Sequence, residues 1–444
     1  MLSHFDTIDA SLDCGSSLTT PPALRSPAAR RPAARPPLPP PPSSPSTTSA
    51  AIWVTTLEQM LALESDWRAL DAKSTGRMSY FQSFDWCYNW YRQFAAGNAQ
   101  DAGPRLRIFT LRKNGKVEMI WPMMQVTRYF GVKELVFIGE PLTQYGNILI
   151  NHDRITPDDI RQCWSEIIRT SQADVIALNN FPAQSVLNAC CDEQGSAKAV
   201  SATSIMDLSG FTDFASFIAS LNKTTRRSRS RRRNRLARLG RIEQVAIAGG
   251  SSAYAALVDQ ALAWKQTWLK ETGRASEILQ QRRTRAFLMS LEDRVLAFAL
   301  ELNGRPIAIE IGFLDGAHYY SYLGAFDWSF RAYSPGKVQM EETFRWAINN
   351  KVKAYDLLGN PSTYKADWSN IDLALMSRMQ PLTVKGVAYA RGWTRLIKPM
   401  MKRSFYWMSS GQRKALLAIV FGLRRKMHDL IASTPEPGRS HKLP

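Results

Sequence analysis

Histidine and cysteine are scarce in this sequence, with five of each among 444 residues. The cysteines (Cys14, Cys87, Cys163, Cys190 and Cys191) are odd in number and form no Cys-x-x-Cys pair. That pattern excludes a disulfide framework and a cysteine-based zinc site, and it fits a reducing compartment. No group of His, Cys and Asp has the spacing of metal ligands, so no metal is expected. The N-terminus lacks a basic stretch followed by an apolar run, so no signal peptide is read. Long apolar runs are missing too. ALLAIVFGL at 415–423 reaches only about half of the ~20 residues that span a bilayer. A cytoplasmic protein is expected.

Acidic residues are absent from one block and nearly so from another. Residues 223–241 hold Lys223 and nine Arg with no acid, a charge of +10. Residues 385–444 hold thirteen Lys/Arg against Asp429 and Glu436, a charge of +11. The whole chain carries +19 and the first fifty residues +1, which leaves −3 for the remainder. A protein that coats nucleic acid usually spreads basic charge over a whole face. Two blocks on a near-neutral body fit two local anion sites at least as well.

Enough hydrophobic residues, 45%, are present to bury a sizeable core in two domains. Residues 1–51 form a Pro/Ala-rich tail that cannot offset its ordering entropy by burial, so disorder is expected there. Helical spacing appears at Leu57, Leu61, Trp67 and Leu70, and the aromatic SYFQSFDWCYNWYRQF reads as a buried helix. Alternating strands follow, with a hairpin turn at Asn114-Gly115. The second half repeats that order. FTDFASFIASL, the Arg-rich segment and two longer helices precede a three-stranded meander turned at Asn303-Gly304 and Asp315-Gly316. A helix at about 334–351 and the strand AYDLLG close it. The expected organisation is a tail (1–51), an N-terminal half (52–210), a C-terminal half (211–385) and a basic helical tail (386–444). The class is α/β (α+β), with mostly antiparallel mixed sheets.

The stretch GRPIAIEIGFLDGAHYYSYLGAFD, with RAYSPGKVQMEETFRWAINNKVKAYDLLGNPSTYKADW after it, resembles the GNAT-type acyltransferase family often labelled cellulose-biosynthesis protein CelD. The early SYFQSFDWCYNWYRQF and LRIFTLRKNGKVEMIWPM resemble that family's N-terminal half, and the resemblance covers roughly residues 52–385. It implies tandem GNAT-like folds related to the Fem ligases. It further implies acyl-CoA (acetyl-CoA) as cosubstrate, and a small-molecule or saccharide acceptor in an envelope or exopolysaccharide pathway.

Such a site needs backbone donors at a helix N-terminus for the CoA pyrophosphate. The family's Q/R-x-x-G-x-G/A loop is matched by Arg331-Ala332-Tyr333-Ser334-Pro335-Gly336, with Ser334 in place of the first Gly. Pro335 suits a first helical turn, Gly336 permits close backbone approach, and Lys337 adds charge. An ordinary helix cap is the alternative. A backbone N–H within Tyr320–Phe326 would meet the thioester carbonyl. Candidates for acid and base are Glu310, His318, Tyr320, Tyr322, Asp356, Tyr364 and Lys365. Asp356 would act as base or orient an amine, Lys365 would bind a phosphate or carboxylate, and Tyr364 or Tyr322 would supply a proton. Asp356 could instead cap a loop, and Lys365 could be a solvated or structural charge. His318, beside the turn at Gly316, reads as a surface residue. Gln144-Tyr145-Gly146 would line the acceptor cleft or simply pack.

The Arg-rich segment, placed on a helix, spreads its arginines around most of the wheel. Like charges at i, i+4 cost about 0.2–0.5 kcal/mol a pair, so the segment gains from counter-anions or from acidic neighbours in the fold. It would meet cofactor phosphate or an anionic acceptor, nucleic acid, or an anionic membrane surface together with RKALLAIVFGLRRKMHDL. No aromatic residue is interleaved in it for base stacking, so nucleic acid is not the expected partner. Two other functions stay open: a Fem-like ligase using aminoacyl-tRNA, and a non-catalytic basic tether to membrane or polyanion.

Overall fold

The computed structural model describes residues 49–74, 78–95, 103–191, 198–274, 276–359, 363–409 and 411–412. The Pro/Ala-rich tail up to residue 48 and the basic segment from residue 413 lie outside them. Regular structure starts three residues before the expected Ile52, because Ser49–Ala51 extend the first strand.

From the N-terminus come β1 (Ser49–Val54), α1 (Leu57–Ala62), α2 (Glu64–Ser74), α3 (Phe84–Phe94), β2 (Arg105–Leu106), β3 (Ile108–Lys113), β4 (Lys116–Trp121) and β5 (Met123–Thr127). Then come β6 (Lys133–Phe137), β7 (Leu149–Ile150), α4 (Pro157–Thr170), β8 (Val175–Pro182), α5 (Val186–Cys191) and β9 (Lys198–Asp207). The second half holds α6 (Phe214–Ser220), α7 (Lys223–Ala237), β10 (Ile242–Ala248), α8 (Ser252–Thr272), α9 (Arg282–Met289), β11 (Val295–Leu302), β12 (Arg305–Asp315) and β13 (His318–Phe326). It ends with α10 (Pro335–Asn349), β14 (Ala354–Gly359), α11 (Thr363–Ala366), β15 (Ile371–Pro381), α12 (Val384–Ala388) and α13 (Lys398–Trp407), with a π-helical stretch at Tyr389–Ile397 before α13.

Local chemistry explains the punctuation. Asn114-Gly115 and Asn303-Gly304 both turn with positive φ at the two central residues, which suits the right-handed twist of the flanking strands. Thr156 caps α4 in a reciprocal capping box with Asp159, and Pro157 opens the helix. Ser251 caps α8, and Gly273 ends it in the left-handed region.

Eleven strands form one sheet in the order β10-β11-β12-β13-β14-β9-β15-β8-β6-β5-β2, and a second sheet runs β1-β3-β4-β7. Neighbours pair antiparallel except for β13 with β14 and β6 with β8. The long sheet passes from one half of the sequence to the other through β15, which pairs with β8 on one side and β9 on the other. Each face of the C-terminal strands has its own core. Phe217, Phe344, Tyr319, Tyr355 and Trp368 pack with α6 and α10 on one face. Tyr320, Tyr322 and Phe313 pack on the other face against the aromatic motif at the start of α3. Tyr80 stacks on Phe313 at 4.6 Å, and Trp86 meets Tyr322 edge-on at 5.8 Å. The aromatic run noted in the sequence is thus spent on joining the halves.

Candidate active site

Strand β13 is irregular where it matters. Its register with β12 slips between Ile311↔Leu323 and Gly312↔Ser321, so Tyr322 is an extra residue, a β-bulge. Strands β13 and β14 pair over only three residues each, His318–Tyr320 with Ala354–Asp356. Beyond Tyr320 and Asp356 no pairing between them is found among the described residues, and their facing edges part. An unpaired strand edge presents backbone donors and acceptors. The chain leaving β13 makes a short 3-10 turn at Trp328–Tyr333 and then enters α10. Ser334 takes a left-handed conformation (φ 54°) to make that entry, a position where Gly is the default. Pro335 is the first helical residue, and no side chain caps the helix. Parted strands and an uncapped helix start therefore follow one another along the chain. Pro335 and Gly336 are buried, Ser334 and Lys337 half-buried, and Arg331 is exposed with its guanidinium over the Trp328 ring.

A polar cluster lies where the strands part. Asp356 is fully buried. Oδ1 accepts from the Tyr145 hydroxyl at 2.9 Å, the Thr203 hydroxyl at 2.8 Å and the Leu358 N–H at 2.8 Å. His318 Nε2 lies 3.3 Å from Oδ2. These donors fix the position of the carboxylate. His318 is buried rather than on the surface as the sequence suggested, because β14 runs alongside it and Tyr320 stacks on its ring at 4.3 Å. The Tyr320 hydroxyl is buried with no hydrogen-bond partner among the described residues. Burial also raises its phenol well above the usual range, so it keeps its proton.

The other candidates fall elsewhere. Tyr322 donates to the Leu142 carbonyl at 3.1 Å. Glu310 sits on the α10 face and accepts from Tyr355 at 2.6 Å and Tyr319 at 3.0 Å, while burial raises its carboxyl. Lys365 is buried and donates to the carbonyls of Leu358 (3.2 Å) and Gly359 (2.7 Å). Leu358 has φ 62°, a conformation costing a side-chain residue about 1–2 kcal/mol. Asp356 on its N–H and Lys365 on its carbonyl hold it there. The side chain of Tyr364 lies outside the described residues. Tyr145 joins the cluster from the N-terminal half, and its carbonyl is fixed by Gln82 at 2.7 Å. At Gly146 a Cβ would lie 2.1 Å from the Phe137 ring, so no larger residue fits unless that ring moves. Gln144 is half-buried and bonds the Leu142 carbonyl.

The Arg-rich segment is helix α7, capped by Asn222. Its inner arginines meet acids of α10: Arg229 pairs with Glu341, and Arg233 with Glu342. Arg235 donates to the Ala332 carbonyl and stacks on Tyr333 at 5.2 Å, within the loop that leads into α10. Arg227, Arg231 and Arg238 are exposed. Part of the expected counter-charge is thus supplied by the fold itself.

Residues 223–366 match the family model described as acetyltransferase (GNAT) domain. Among solved structures, FemX is similar at 9% identity and a TM-score of 0.52, covering 77% of this chain and 99% of that one. A tandem GNAT protein from the clavulanic acid biosynthesis pathway aligns at 11% identity and a TM-score of 0.43, covering 75% and 99%. L-PGS from Bacillus licheniformis aligns at 11% and 0.46, covering 67% and 89%. No curated protein matches the chain in sequence. The stretch that matches the GNAT acetyltransferase model is the one that contains the parted strands and α10, set in a chain whose fold is similar to that of FemX.

Proposed function

We propose that this protein is an acyl-CoA-dependent N- or O-acyltransferase, of the CelD type, that transfers its acyl group directly to an amine or hydroxyl acceptor. The observation that carries this reading is the parting of β13 from β14 at the Tyr322 bulge, directly before the uncapped start of α10, inside the GNAT-matching stretch. The residues present fit an acyl-CoA. The backbone N–H of Gly336 would receive phosphate at the helix start, with Arg331 and Lys337 adding charge. The open edge of β13 would hold the extended arm and offer an N–H to the acyl carbonyl. Bound there, acyl-CoA supplies an activated thioester.

Tyr320, whose hydroxyl is buried and has no partner among the described residues, is the proton donor in this scheme. His318 is the proton acceptor, and Asp356 orients it. Lys365 holds the Leu358 turn. No cysteine among the described side chains suits a covalent route. Burial raises the Cys87 thiol well above its usual range and pushes Cys163 up to about 12. An envelope or exopolysaccharide precursor is the proposed acceptor, with Tyr145 and the two GNAT-like halves framing its approach.

Acetyl-CoA binding tests the reading. Acetyl-CoA should raise the melting temperature of the parent protein. Gly336→Leu should fold and lose that shift, because a side chain there blocks close approach to phosphate. A parent protein with no shift, or a variant that keeps it, would place the cosubstrate elsewhere or remove it.

A further inference from the structure

A second surface carries an inference independent of acyl transfer. The turn at Tyr129–Gly131 and the helical stretch after β15 form one face. Trp393 touches Tyr129 at 5.0 Å and Phe130 at 5.9 Å, and Lys385 bonds the Gly131 carbonyl. Large apolar side chains stand exposed on this face: Phe130 at 76%, Leu396 at 62%, Met400 at 68% and Trp407 at 93%. The last three fall at i, i+4 and i+11, one side of a helix. Phe130 is the more telling, since it has φ 61°. A bulky residue in the left-handed region is costly, and at this exposure the edge contact with Trp393 offsets little of that cost.

Charge is the second observation. From Val384 to Trp407 there are six Lys/Arg and no acid, and the sequence on to His428 adds five more, again with no acid. Arg391, Arg395 and Arg403 are exposed beside the apolar residues. Two nearby acids, one on β6 and one just before β8, are engaged within the fold. Glu134 pairs with Arg128, and Asp174 is bound by Lys385, the Thr383 hydroxyl and the Lys133 N–H. Exposed apolar side chains, aromatics at the border and an acid-free basic surround are what an anionic bilayer surface recognises. No described helix is long and apolar enough to cross a membrane, so such contact is interfacial.

We propose that this face docks the protein on an anionic lipid surface, with Phe130, Leu396, Met400 and Trp407 entering the headgroup boundary and Arg391, Arg395 and Arg403 meeting lipid phosphates. Full-length protein should sediment with vesicles of phosphatidylglycerol and phosphatidylcholine, only weakly with phosphatidylcholine alone, and should be released by high salt. The variant Phe130→Asn/Leu396→Ser/Met400→Ser/Trp407→Ser should keep its melting temperature and bind about tenfold more weakly. Arg391→Glu/Arg395→Glu/Arg403→Glu should lose the preference for phosphatidylglycerol. Equal binding by parent and variants would overturn the proposal, as would no binding by the parent. A parent dimer that the apolar variant dissolves, without vesicle binding, would assign the face to a second copy. A fall in melting temperature without parent binding would assign it to cover from this chain itself. Either outcome would also overturn the proposal.

Discussion

Tyr320 and Tyr322 stand two positions apart on β13, and both are buried, yet only Tyr322 has a hydrogen-bond partner among the described residues. The bulge sends Tyr322 to the Leu142 carbonyl and leaves the Tyr320 hydroxyl without one. Tyr322→Phe should cost about 1 kcal/mol of stability and leave turnover intact. Tyr320→Phe should leave stability within about 0.5 kcal/mol, because no hydrogen bond is lost, and lower kcat about a hundredfold. Urea denaturation and thiol release from acetyl-CoA read the two quantities separately, and the reverse pattern would move the proton donor to Tyr322. The sequence could show these tyrosines only as candidates, because a bulge is a property of strand pairing. Asp356 was visible in YDLLG, but its partners Tyr145 and Thr203 lie 211 and 153 residues away and carry no local signal. The turn at Gly316 suggests a surface place for His318, and β14, which buries it, comes from a later part of the sequence that carries no local sign of the pairing.

At the level of elements, periodicity and caps were enough for most of the secondary structure. The expected helix at about 334–351 and the three-stranded meander are both present. The arginine helix was the exception. Its wheel showed charge on nearly every side, because the acids that balance its inner side belong to α10, 112 and 109 residues further on. Glu341 is nearly fully buried beneath Arg229. Removing Arg229 takes away the hydrogen-bonded partner of that carboxylate and leaves it the longer-range pull of Arg232, Arg233 and Arg345. Arg229→Ala should cost about 1.5–3 kcal/mol, whereas Arg231→Ala on the exposed side should stay within about 0.5 kcal/mol. Chemical denaturation of the two variants decides it. Equal small effects would mean that α7 is merely a solvated charged helix.

Over the whole molecule, the repeated order of helices, meander, helix and strand was legible, and the seam between the repeats was not. Aromatic packing, the long sheet and an ionic bridge all cross that seam. Arg294 pairs with Asp71 of α2 at 2.9 Å and with Asp315 at the end of β12 at 3.0 Å. Arg294→Met would leave two buried carboxylates without the cation they share. It should cost about 3–5 kcal/mol while unfolding remains a single transition, because the sheet is continuous. Two separated transitions in the parent protein, followed by intrinsic fluorescence, would show the halves to be independent. The seam also has a consequence for biosynthesis. Among the described residues β15 is the last strand made, and it belongs between β8 and β9. During translation both waiting edges stay open until residue 381 has left the ribosome. A nascent chain stalled before that point exposes two unfilled strand edges, so the interval before β15 arrives is when chaperone protection matters most.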